Sequence, residues 1–329
     1  MKKIIIAIHG LSNKPPKHTL AAQWKLCIQQ GLKNQGWPWR RVPIKMVYWA
    51  DLFYPVPDLQ VHQEIQAIRQ FEPATDANES MKSPEKRKPW LDWLEKDLEW
   101  IFLKTPKPNP FEALSDALSR RLYYEFYVYF SKGSKNEDSD SDAKRITQDR
   151  LKAMLHKHRK KQILLLSHSM GTIIAYDVLQ EASSDIRVHT WMTMGSPLGQ
   201  AIVMSKMSRE QKSVKKPRKR FHILPAGKPV FATPECITHR WLNFSDLEDK
   251  IALNYALQEE FSPNAKGICV QDIVVRNAFE IEGKPNHHKS YGYLRTPQAA
   301  SALHEFLGQS IFDKLFFFRD FFSRDKQIG

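Results

Sequence analysis

A five-residue stretch, Ser167-His168-Ser169-Met170-Gly171, constrains this chain more than any other feature. The apolar run 162–166 leads directly into it, and the helical-looking run 172–179 leaves directly from it. A buried strand, a sharp turn with serine at its apex and then a helix is a geometry that pushes one hydroxyl out of a sheet edge and strains its own backbone. Side chains two before and two after the apex nearly touch, so both have to be small; here they are Ser167 and Gly171. Glycine is the usual first residue of the G-x-S-x-G pattern, and Ser167 departs from it in a way that sterics allow.

With 329 residues, 42% of them hydrophobic, the chain can bury a sizeable core in one large domain or two ordinary ones. The net charge of +14 favours an anionic partner: nucleic acid, an acidic membrane surface or an acidic substrate. Much of that charge gathers at 206–222, which reads as a basic surface loop. The loop carries no interleaved aromatics, which argues against nucleic acid. Cys27, Cys236 and Cys269 show no metal-site spacing and cannot all pair, which suits a reducing compartment. The apolar start at 4–8 is cut by His9-Gly10 before it reaches signal-peptide length, so it reads as a buried strand. No apolar run approaches the roughly 18 residues a membrane span needs. The expected location is cytoplasmic, with surface association with a membrane left open.

Buried parallel strands read as short continuous apolar runs. Six fit: 3–8, 44–49, 162–167, 188–194, 237–244 and 268–275, with helical patterns at 19–31, 145–159, 171–182 and 297–307 between and after them. The alternation predicts an α/β fold, a mostly parallel sheet with helices on both faces. Residues 1–54 and 144–309 form the expected core. The stretch 55–143 reads as a helical insertion, too rich in Trp90, Trp93, Trp100 and their apolar neighbours to be a linker. A cap over the C-terminal sheet edge is the simplest arrangement for it. Its low-complexity acidic end, 131–143, is expected to be mobile. The aromatic run 311–322 predicts a C-terminal helix within 310–329, packed on the cap, lying in a membrane interface or buried in a dimer.

A serine nucleophile needs a base, an acid to orient that base, and donors for an oxyanion. The order Ser…Asp…His goes with a strand–turn–helix nucleophile. Asp249, in the Asp-Lys-Ile segment 249–251, is the preferred acid and Asp246 its competitor. His288 is the preferred base and His287 the alternative. The N–H groups of Leu11 and Met170 are the expected oxyanion donors, with Gly10 allowing close backbone approach. His9 reads as a support for that loop, not as a base. Ser196 reads as a turn residue, because Pro197 prevents an immediate helical turn of the Ser169 kind.

On these residues the chain resembles an α/β-hydrolase of the lipase/esterase-like branch, which includes bacterial serine hydrolases and the GPI inositol-deacylase-like proteins. The resemblance rests on segments 6–11, 167–172, 194–198, 249–251 and 288–291. It implies a Ser–His–Asp mechanism acting on a small-molecule or lipid ester, with no cofactor and no metal. Two further features depart from the family pattern. The insertion precedes the serine turn, and the usual antiparallel first strands are missing. The aromatic cap favours an apolar acyl ester, with segments 206–222 and 311–322 as a peripheral contact with an anionic membrane. Acyl transfer or thioester cleavage by the same triad, and a non-catalytic scaffold of the same fold, are the competing readings.

Overall fold

Strand β1 (Lys3–Ile8) shows how the core is organised. Successive strand side chains point to opposite faces, and here both sets are apolar. Ile4, Ile6 and Ile8 enter one buried cluster, Ile5 and Ala7 the other. A strand apolar on both faces has to be covered on both. The computed structural model describes residues 1–38, 41–59, 61–70, 129, 140–213, 222–223, 229–252 and 254–308. Within them β1 joins β2 (Ile44–Val47), β3 (Gln162–His168), β4 (Val188–Met194), β5 (Ile237–Asp246) and β6 (Val270–Val275) in one six-stranded sheet. The order is β2-β1-β3-β4-β5-β6 and every pairing is parallel.

Helices cover the two faces separately. Helix α1 (Lys17–Asn34) brings Leu20, Trp24 and Ile28 to the cluster around Ile5. Helix α2 (Val61–Arg69) adds Ile68 to the same cluster. Helix α3 (Asp140–His158) brings Leu151 and Leu155 to the opposite cluster, around Ile6. Helix α4 (Met170–Gln180) adds Ile173, Ile174 and Tyr176 there, and α5 (Ala201–Ser213) adds Val203 and Met207. The short α6 (Ser290–Tyr293) and α7 (Pro297–Leu307) return to the α1 face through Tyr291, Leu303 and Phe306. The helix after β1 and the helix after β3 therefore leave neighbouring strands for opposite faces. Such a reversal opens a crevice outside the carboxyl ends of the strands. The register aligns those ends: Ile8 lies beside Ser167, Ser167 beside Thr193, Thr193 beside Asn243, and Asn243 beside Asp272.

Two sequence expectations are corrected. Of the acidic run 131–143 expected to be mobile, only residues 140–143 are described, and they belong to the start of α3. The basic run at 206–222 is not a loop throughout: α5 continues to Ser213, and residues 222–223 form a short strand. Val203 and Met207 stand four apart on α5 and are both buried, so packing of that stripe outweighs the surrounding charge. Of the expected insertion, Tyr129 is buried against the core and its hydroxyl donates to Asp177 Oδ2 at 2.9 Å. Segments 71–128, 131–139, 214–221 and 309–329, which hold most of the expected cap, the acidic run, part of the basic run and the aromatic terminal helix, lie outside the described residues.

Among the described residues no helix is long and apolar enough to cross a membrane. All three cysteines are free thiols. Burial pushes those of Cys27 and Cys236 up to about 12.

Candidate active site

Ser169 sits between the end of β3 and the first residue of α4 with φ 54° and ψ −130°. Few side chains tolerate that half of conformational space, and a turn that holds serine there stores strain at its apex. Neighbouring bonds determine the geometry. Ser169 N–H donates to Met194 O at 3.0 Å, and Ser169 O accepts from Thr172 N–H at 2.8 Å and from the Thr172 hydroxyl at 2.7 Å. Two glycines make room. A Cβ on Gly10 would lie 2.5 Å from Ser169 Cβ, and one on Gly171 would lie 2.7 Å from His9 O. Ser167, in the place usually held by glycine, braces the sheet: its hydroxyl accepts from the buried Trp191 indole N–H at 2.8 Å and donates to Met192 O at 3.2 Å. The hydroxyl at the apex is not openly displayed. Ser169 is only 2% exposed, because Gly10 and the His288 ring close around it.

His288 comes from the loop after the short antiparallel pair Glu280–Ile281 and Lys284–Pro285, beyond β6. Its Nε2 lies 2.9 Å from Ser169 Oγ. Its Nδ1 lies 2.9 and 2.8 Å from the two carboxylate oxygens of Asp249. Asp249 is buried. Burial alone would raise its carboxyl, but the His288 charge and hydrogen bond, the Ile251 N–H and the Tyr293 hydroxyl outweigh it and hold it below the usual value. The acid is therefore ionised at neutral pH and accepts Nδ1–H, which leaves Nε2 as an acceptor for the serine proton. Gly195, at φ +54°, lies under the pair: a Cβ there would be 2.8 Å from Asp249 Oδ2 and 3.0 Å from His288 Nδ1.

The competing residues are placed elsewhere. Asp246 Oδ1 accepts from Glu248 N–H at 2.7 Å and its Oδ2 from Asn277 N–H at 2.5 Å. His287 stands 3.1 Å from Glu248 Oε2, with Nδ1 3.5 Å from Asp246 Oδ2, an ion-pair distance without hydrogen-bond alignment. The Asp246 carboxylate, with Glu248 adding to it, raises the His287 pKa. His287 and Asp246 thus form a second acid–base pair beside the first one. The Tyr293 hydroxyl links the two acids, donating to Asp249 Oδ2 at 2.7 Å and accepting from Asp246 N–H at 3.0 Å.

His9 anchors the loop after β1. Its Nδ1–H donates to Gly10 O at 2.8 Å and its Nε2 accepts from Trp49 N–H at 3.1 Å, with the two rings stacked 5.1 Å apart. Burial first, then the Lys14 charge, lowers its pKa to about 3, so the ring is neutral. Lys14 Nζ reaches back to the Leu11 and Ser12 carbonyls, which orients that peptide stretch. Among the described residues no backbone carbonyl accepts from Leu11 N–H or Met170 N–H. Ser196 is buried and bonded to Thr172 Oγ1 at 2.9 Å, with Leu198 N–H donating to it at 3.3 Å.

Sequence reasoning did not single out Asn277, Tyr293 or a bonding role for His168, all of which touch the acid–base loops. The only sequence signal was position: His168 adjoins the serine, and Asn277 follows the last strand by two residues.

Comparison with protein-family models and with curated sequences finds no match. Among solved structures, a crystal structure of a pyrethroid hydrolase, PytH, is similar at 14% identity and TM-score 0.30, over 93% of this chain and 97% of that one. A variant of the same enzyme aligns at 13% identity and TM-score 0.31 with the same coverage.

Proposed function

We propose that the protein is a serine hydrolase that cleaves a carboxylic ester through an acyl-enzyme, with Ser169 as nucleophile, His288 as general base and Asp249 as the acid that orients it. The carrying observation is the unbroken chain Asp249–His288–Ser169, with each link at 2.8–2.9 Å, built from three loops far apart in sequence. In this mechanism Nε2 takes the serine proton as Oγ attacks the acyl carbon. The developing imidazolium is stabilised by the ionised Asp249. The N–H groups of Leu11 and Met170 would receive the oxyanion; losing one such donor typically costs about 10²–10³ in turnover. Collapse of the tetrahedral intermediate releases the alcohol with the proton carried by His288. Water, deprotonated by the same ring, then frees the acid. The aromatic content of segment 55–143 supports an apolar acyl group.

A fluorophosphonate probe tests the assignment. Labelling is expected in the native protein and absent in Ser169→Ala and His288→Ala. Undiminished labelling of Ser169→Ala would defeat it. Turnover of aryl esters of graded acyl length is expected to rise with chain length.

A further inference from the structure

The backbone carbonyls of His287, His288 and Lys289 are consecutive, and all three accept from side chains outside their own loop. Asn277 Nδ2 stands 2.8 Å from His287 O and 2.9 Å from Lys289 O. His168 Nε2 stands 2.7 Å from His288 O. A carbonyl can only accept, so Nε2 of His168 carries its ring proton. Burial first, then the nearby His288, lowers the His168 pKa well below its usual value, which keeps that ring a neutral single donor. Both donors are themselves held. Asn277 is fully buried, its N–H donates to Asp246 and its Oδ1 accepts from Phe279 N–H at 3.2 Å. Gly292 leaves its amide room, since a Cβ there would fall 1.6 Å from Asn277 Oδ1. The His168 ring lies against the His288 ring at 4.8 Å, with Trp24 edge-on behind it at 6.5 Å.

His168 is the last residue of β3 and the immediate neighbour of Ser169. Its bond therefore ties the backbone of the base to the strand that carries the nucleophile, so the two move together. Loops are ordinarily the low-stability part of a fold, and a misplacement of about 1 Å at a reacting group can cost about 10²-fold in rate. We propose that His168 and Asn277 are positioning residues that clamp these three carbonyls and so keep His288 Nε2 within reach of Ser169 Oγ. The inference rests on the serine-hydrolase reading for its kinetic consequence but not for its geometry.

Three variants test it. His168→Phe keeps the ring face and loses the donor, His168→Gln restores a donor of similar reach, and Asn277→Asp keeps the shape but cannot donate. His168→Phe and Asn277→Asp are each expected to lower kcat by about 30–100-fold with KM within about threefold, and His168→Gln to recover most of the loss. In histidine-labelled protein, the downfield Nδ1 proton of His288 against Asp249 should broaden or shift in His168→Phe and return in His168→Gln. Unchanged kcat and an unchanged resonance in His168→Phe overturn the clamp. So does a rise in KM at constant kcat, which would make His168 a substrate contact. Should Asn277→Asp fail to fold, the two His168 variants decide alone. Absence of probe labelling in the native protein removes the hydrolase reading, while the resonance still decides the clamp.

Discussion

Ser169 and His288, the proposed nucleophile and base, are held by different means. On the β3–α4 side the constraint is steric and local: Gly10 and Gly171 leave no room for a Cβ, and Ser169 is forced to φ 54° by a turn five residues long. On the acid–base side the constraint is remote: Asn277, His168 and Tyr293 reach into the loops from other elements and bind backbone carbonyls or a buried carboxylate. Crowding tolerates no added atom, whereas a hydrogen-bonded loop tolerates conservative changes and fails when a donor is lost. The first kind of constraint shows in a short sequence pattern and the second does not.

The largest expected effect lies on the remote side. Asp249→Asn should lower kcat about 10⁴-fold, because the amide favours the wrong imidazole tautomer. Asp246→Asn should stay within about tenfold, since Asp246 bonds Glu248 and Asn277 and not His288. Equal losses in the two variants would erase the distinction between the acids.

Next comes crowding. Gly10→Ala puts a carbon 2.5 Å from Ser169 Cβ, where neither partner is a flexible side-chain end. Overpacking of this kind costs about 1–3 kcal/mol, and turnover should fall about 100-fold as the serine is displaced. Near-native turnover in Gly10→Ala, measured beside its urea midpoint, would show the local side to be softer than the geometry says.

The two sides should also respond oppositely to pH. His9, on the loop beside the serine, has a folded pKa of about 3. Between 6.5 and that value the unfolded chain binds a proton that the folded one refuses, so stability falls as pH drops, by about 3 kcal/mol at pH 4. His287, on the acid–base side, has a raised folded pKa. Its contribution is fully present below pH 6.5 and is lost as pH rises through the folded value. Urea midpoints across pH 4–9 should flatten on the acid side in His9→Asn and on the alkaline side in His287→Asn. A His287→Asn profile that flattens only in acid would reverse the assignment.

The smallest effect is expected from Ser167→Gly, which restores the usual glycine and orphans the Trp191 indole. An unpaired buried donor costs about 1–3 kcal/mol. Thermal denaturation should register that loss while turnover stays within about threefold.

All six apolar runs expected to be strands join the sheet, but their ends shift where side chains intervene. The run expected to reach residue 49 stops at Val47, where Trp49 N–H has turned to His9. The last strand begins at Val270 and not at 268, because Asn264 Oδ1 captures Ile268 N–H. Helix α7 starts and stops at 297 and 307 as the pattern predicts, with Thr296 Oγ1 accepting from Ala299 N–H ahead of the first turn. For the site, Ser169 was legible from its flanks, since small residues around a strand–helix junction have few other uses. The sequence preferred Asp249 through its Asp-Lys-Ile segment but left Asp246 in competition: both are buried, and the loop path turns Asp249 toward His288.

By itself the sequence determined the layered α/β architecture and the turn at Ser169, because strand apolarity, helix periodicity and steric crowding act over a few residues. Tertiary structure alone decided the strand order, the pairing of Asp249 with His288 and the hold of Asn277 and His168 on the base. Those depend on where chain segments meet, 10 and 12 residues apart for the Asn277 bonds and 39 to 120 for those of Asp249, Ser169 and His168 with His288, and a hydrogen-bond donor leaves no periodic trace of the carbonyl it will find.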